Sequence, residues 1–197
     1  MGWLYSAPSG ARLKESDTAG GTLRPRQSPL RGAFTPDAVR RRFEVCEWEP
    51  PADLAPWVSH LWRVRWALPP GVVHLARTLP FPVVHVVFED DGTANVVGPI
   101  PVRFERVLEG EGGVLGVHVR PAMFRALVDV PLEELKDLRV DADVLFGPEV
   151  RTLAARLPAL DPEARGRAIC TWLRGIVPPP PPELVALRDA VETALAG

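Results

Sequence analysis

Between Leu115 and Gly147 the chain changes its period. LGVHVRP reads as a strand that stops at Arg120-Pro121, and AMFRALVDVPLEELKDLRVDADVLFG continues with helical spacing and two short acidic-led turns. Apolar residues two apart belong to a half-buried strand, and those three or four apart to a helix, so this stretch predicts a sheet that gives way to helices. Upstream, Trp62-Arg-Val64-Arg-Trp66 alternates at period two, which puts both arginines on one face and the three apolar residues on the other. Val83 to Phe88 is almost wholly apolar and β-branched, as in a central strand covered on both sides. Asp90-Asp91-Gly92 is a tight hairpin signal leading into a strand from Thr93 to Val97. Strands over Glu44 to Glu49, Arg103 to Leu108 and Val114 to Val119 complete five or six, the last two joined by the turn Glu109 to Gly113. The expected fold is α+β, an antiparallel β-sandwich or small cupin-like barrel followed by C-terminal helices.

The ends of the chain obey other rules. Residues 1–34 are rich in Gly, Ser, Pro, Thr and Arg without an apolar period, so a disordered arm is expected. Thr35-Pro36-Asp37 has the form of a helix start, the helix ending near Phe43. Pro51 to Trp62 opens with a helical turn that would bury Leu54, Trp57, Val58 and Leu61. Asp161-Pro162-Glu163 starts a clearer helix with Ala164, Ala168, Ile169, Trp172, Leu173 and Ile176 along one stripe. Five prolines, 178–182, predict a stiff polyproline spacer, and Leu184, Leu187, Val191 and Leu195 mark a last helix. The expected division is an arm at 1–34, a β-rich domain at 35–147 and a helical linker with its proline spacer at 148–197.

Charge separates the arm from the rest. Residues 1–42 carry eight basic and three acidic side chains, net +5, which leaves −7 for the remainder of a chain whose total is −2. A folded part so acidic repels phosphates over much of its surface and makes a poor DNA binder. The segment Glu183 to Gly197 holds one arginine against three acids and is no recognition helix. There is no membrane-length apolar run and no signal-peptide pattern, so a cytoplasmic protein without membrane contact is expected. Cys46 and Cys170 read as buried thiols.

Chemistry-bearing motifs are few. None of His60, His74, His85 and His118 pairs at the i, i+4 or His-x-His spacing of familiar metal sites, and no metal is expected. His85 and His118 lie on candidate core strands, and a barrel would bring His74 near them; a core histidine satisfied by one hydrogen bond is the commoner situation. The serines fall mostly in the arm, no nucleophile elbow occurs, and Glu89-Asp90-Asp91 reads as a solvated hairpin tip. The chain is expected not to be an enzyme and to need no cofactor. Six tryptophans are a stronger lead, since Trp57, Trp62 and Trp66 are close enough in sequence to line one wall of an apolar pocket. The candidate ligand-binding residues are Trp62, Trp66, His85 and His118.

The order of LPFPVVHVVFEDDG (79–92), VVGP (96–99) and the Leu115 to Gly147 block resembles the N-terminal sensor domain that precedes the DNA-binding module in bacterial AraC-type transcription regulators. Residues from about 43 to 196 match this sensor and its helical linker. The tandem helix-turn-helix part has no counterpart in the sequence. The resemblance implies a regulatory domain that senses an effector and dimerises. Its implied partners are a small-molecule effector, a second copy of the chain, and promoter DNA reached only through a C-terminal module absent from this sequence. The competing reading is a stand-alone cupin-like barrel that binds a small molecule, including a metal-dependent enzyme.

Overall fold

The computed structural model describes residues 26–27, 42–79 and 83–196. The expected arm, apart from Arg26 and Gln27, and the helix start at Thr35 lie outside them. Nine strands are present among the described residues: β1 Arg26–Gln27, β2 Phe43–Trp48, β3 Val58–Ala67, β4 Val73–Thr78, β5 His85–Glu89, β6 Ala94–Val97, β7 Phe104–Glu109, β8 Glu111–Val119 and β9 Arg139–Asp141. Seven make one sheet in the order β1-β2-β3-β8-β5-β6-β9, and β4 pairs with β7 in a second. Every pairing is antiparallel. The helices are α1 Leu132–Leu135, α2 Ala142–Phe146, α3 Pro148–Arg156, α4 Pro162–Ile176 and α5 Pro182–Ala196. The fold is therefore α+β, with two sheets laid face to face instead of a closed barrel.

Alternation along each strand sends side chains to two different cores. Leu61, Val86, Phe88, Val96, Leu115, Val117 and Val119 point to one face of the large sheet, where they share a core with Val150, Leu153, Leu157, Ile169, Cys170 and Leu173 of the helical part. Residues 148–176 thus pack continuously with the strands, and the packing does not break at 147. On the opposite face a smaller core joins Trp66 and Leu68 to Leu108 of the small sheet, with Phe43, Val64, Ala76 and Val114 against it. At Gly110 (φ +54) the chain crosses from the small sheet into the large one.

Several sequence expectations become more specific. Leu54, Trp57, Val58 and Leu61 are all buried, and the turn before β3 is closed by Leu54 and Ala55 N–H groups donating to the Pro51 carbonyl. The helix expected after Pro121 is a single 3-10 turn, Met123–Ala126, entered through Ala122 at φ 65. In α4, Asp161 caps the start by accepting from the Ala164 N–H at 2.8 Å. Losing such a cap costs about 1 kcal/mol, so Asp161→Ala is expected to lower stability by about that amount in urea titrations. The proline run ends with Pro182 as the first residue of α5, a position where its missing N–H costs nothing.

Candidate functional site

The face of the large sheet turned away from the main helical core carries a row of imidazoles. His60 on β3 lies directly opposite His118 on β8, and His118 lies opposite His85 on β5. The register shift between Val58 and His60 sets this alignment. Ring centroids are 4.5 Å apart for His60 and His118 and 5.0 Å for His85 and His118. One level along, Trp62 crosses His85 edge to face, and its indole Nε1–H donates to His85 Nδ1 at 3.1 Å. Accepting at Nδ1 fixes His85 as the neutral tautomer with its proton on Nε2.

Trp62 can lie flat against β8 because its cross-strand partner is Gly116. A Cβ there would fall on the indole atoms Cε2 and Cζ2. Trp66 and Gly112 repeat the arrangement four residues along. The spacing of the two tryptophans thus matches the spacing of two glycines on the neighbouring strand.

Burial keeps the row uncharged. His118 is buried, and desolvation lowers its pKa to about 2, with His85, His60 and Arg120 acting in the same direction. His85 falls to about 4 through desolvation and then the charge of His60. His60 is also lowered by desolvation, which outweighs the raising effect of Glu47. Three neutral imidazoles and an indole can exchange hydrogen bonds with a polar, uncharged group and stack on a planar one. Among the described residues, no group of three or more His, Cys, Asp or Glu side chains is arranged to hold a metal ion.

Three of the four sequence candidates, Trp62, His85 and His118, come together here. Trp66 does not join them: it is buried in the smaller core and donates from Nε1 to the Glu109 carbonyl at 3.2 Å. Trp57 lies in the helical core, so the three nearby tryptophans do not line one wall. His74, expected near His85, instead sits on β4 with its ring against Phe43 at 5.2 Å. The third member of the row is His60. Its place was legible in principle, since it shares parity with Trp62, Val64 and Trp66, but the preceding turn pattern hid the start of β3 at Val58.

Of the acidic hairpin expected to be a solvated tip, Asp91 is exposed but Glu89 and Asp90 are not free in solvent. Glu89 is buried and accepts a two-pronged bond from Arg106 on β7, at 2.7 and 3.0 Å, with a further bond from Arg139 on β9 at 3.0 Å. Asp90 is held by Arg165 of α4. These pairs tie the small sheet, the far edge of the large sheet and α4 to one turn. The guanidinium of Arg106 also lies 5.5 Å from the centre of the Trp66 ring. Neither thiol offers a nucleophile at neutral pH, because burial raises Cys170 to about 11 and, with Glu44, raises Cys46.

Beyond the histidine row the end of β8 is coupled to the last helix. Arg120, two residues after His118, donates from Nε to the Ala55 carbonyl and from Nη1 to Glu192 of α5, each at 2.7 Å. Arg188 of α5 donates to the Pro56 carbonyl at 3.1 Å. None of the described side chains of α5 is fully buried, so these polar contacts contribute much of its seating. No described helix is long and apolar enough to cross a membrane.

Residues 46–141 match the model of a family described as a domain of unknown function, DUF6597. The match begins in β2 and ends at the last residue of β9, and so includes all three histidines of the row and Trp62. No curated protein and no solved structure matches the chain.

Proposed function

We propose that this chain is the effector-sensing and dimerisation part of an AraC-type bacterial transcription regulator. It acts in the cytoplasm without catalysis, and DNA is read by a module other than the fold described here. One observation carries the reading: His118, the middle member of the imidazole row beside Trp62, stands two residues before Arg120, which leaves the end of β8 and holds the last helix. An effector changes output only if it binds one arrangement of the protein better than another. A ligand that displaced His118 would move the end of β8, and with it Arg120, whose ion pair with Glu192 is partly buried. The α+β order of the fold and the resemblance of residues 43–196 to regulator sensor domains support the same assignment.

The test is chromatin immunoprecipitation of the epitope-tagged native gene product. A discrete set of promoter peaks is expected, and their occupancy should change with growth condition. Trp62→Ala should abolish that change while leaving the peaks in place. Absence of any enriched DNA would sink the reading.

The buried imidazole and indole row would equally serve one competitor, a stand-alone small-molecule-binding protein, whose metal-dependent form finds no metal-holding group among the described residues. Elemental analysis of protein purified without chelators separates the two, since stoichiometric metal would favour the competitor.

A further inference from the structure

The small sheet has an inverted pattern. On β4 the residues turned towards the large sheet are His74, Ala76 and Thr78, whereas Val73 and Leu75 face outward at 59% and 37% exposure. On β7 the outward Val107 is 60% exposed and is the direct cross-strand partner of Leu75. Val72, Leu79 and Val102 flank them and are also exposed. Of the nine large apolar residues exposed among those described, these six lie on β4, β7 or their immediate extensions. A strand normally turns its large apolar residues inward, and scattered exposed ones need no explanation, but a concentration on one two-stranded face does.

We propose that the outer face of β4 and β7 is the surface on which a second copy of this chain docks. The proposal deepens the dimerisation half of the reading above and names its site. Two observations select a second copy as the occupant. The first is charge. Arg77 and Glu105 stand side by side on this face, bonded at 2.9 Å within one chain, at the level next to Leu75 and Val107. A two-fold axis running along the strands lays β4 of one copy over β7 of the other. Leu75 then meets Val107 twice, and Arg77 meets Glu105 twice, so no like charges are opposed at these two levels. Such self-complementarity is what a two-fold interface requires.

The second observation is area. Val73, Leu75, Leu79 and Val107, between 37% and 60% exposed, with Val72 and Val102 beyond the strand ends, supply the apolar centre of a patch at the scale of the largest found on ordinary monomers, about 300–600 Å². A stable dimer buries about 800 Å² on each partner, and homodimer interfaces are about 65% apolar. The apolar centre with Arg77, Glu105 and Glu109 around it fits that requirement. The docked face lies on the opposite side of the small sheet from Arg106, which reaches inward to Glu89. Pairing of two copies therefore leaves the face of the large sheet that carries the histidine row as it is in one chain.

The test is sedimentation equilibrium of the purified full chain over micromolar concentrations at neutral pH. Twice the 21.6 kDa of one chain is expected. Val107→Glu should weaken the association at least a hundredfold with an unchanged circular dichroism spectrum, since the side chain touches mainly solvent in the single chain. Val73→Glu on the same face, which the two-fold sets against Glu109 of the other copy, repeats the measurement should Val107→Glu fail to fold. Leu187→Glu tests the outward side of α5, where Leu187 is 51% exposed, and should leave the dimer intact. A monomer at all concentrations overturns the proposal. So does a dimer that survives both changes in the small sheet, or one that only Leu187→Glu dissociates. Mass in solution is read without DNA, so these outcomes stand apart from the promoter assay.

Discussion

Lowering the pH from 7 to 5 is expected to remove about 4 kcal/mol of folding stability, most of it through two histidines. In the unfolded chain an imidazole gains its proton near pH 6.5. In the fold His85 does so only at about 4 and His118 at about 2, because both are desolvated within the row. Above pH 6.5 both states are neutral and the row contributes no pH dependence. Below it the unfolded chain binds protons that the folded chain refuses, so stability falls as the pH falls, down to about 4 for His85 and further for His118. Each residue therefore costs about 2 kcal/mol at pH 5 relative to pH 7. His60, lowered by the same desolvation, adds in the same direction.

Carboxylates do not confuse this window. Asp53, held by the hydrogen bond from Arg174, and Asp91, held by Thr93, both have pKa values below their ordinary 3.8, so their stabilisation is lost only at more acid pH. Typical domains are stable by about 5–15 kcal/mol, so the loss is a large share of the total. Urea titrations at the two pH values measure it. The double variant His85→Gln, His118→Gln should show a much flatter pH dependence, whatever its stability at pH 7. An equal loss in the variant would place the acid sensitivity elsewhere.

How far the sequence could be read depended on which residues the strands chose to bury. Trp62, Val64 and Trp66 alternate with arginines, and the structure places them on one face of β3. Asp161-Pro162 marked the start of α4 because cap, proline and acid act locally. β4 went unread because its outward residues are the large apolar ones and its inward residues are His, Ala and Thr, the reverse of the usual signal. Arg139–Asp141 is too short to carry a period, and it is placed by pairing with β6 and by the ion pair of Arg139 with buried Glu89. Glu89-Asp90-Asp91 looked solvated because its three arginines come from β7, β9 and α4, 17 to 75 residues away. The site shows the same limit. His85 and His118 stood out as polar residues inside apolar strands. Their alignment with His60, and the replacement of His74 by His60, follow from a register shift that no local pattern records.

Gly116→Ala is expected to destabilise the fold by about 3 kcal/mol, the upper part of the range for overpacking a filled site, and to dismantle the candidate site while leaving every polar residue in it unchanged. The indole of Trp62 occupies the space above Gly116, and the atoms a Cβ would strike are the ring atoms beside Nε1. A ring on a pleated strand has few staggered alternatives, so relief requires Trp62 to swing off β8. That movement breaks its hydrogen bond to His85 and uncovers the imidazole row. The Nε1–H resonance of Trp62, assigned through Trp62→Phe, should lose the downfield shift and the slow exchange of a buried donor. Gly175→Ala is the matched control: apart from its chain neighbours and the backbone of its own helix, no atom lies within 4 Å of its added Cβ, and within α4 the change should stabilise by about 0.5–1 kcal/mol. Coupling separates the local clash from a general strain on β8. With Trp62→Val already in place, the alanine at 116 meets a smaller side chain and should cost less than 1 kcal/mol. Residues in contact show non-additive energies of this size. Simple addition of the two single effects would mean that Gly116 serves the strand and not the indole, and Trp62 would then owe its position to His85 alone.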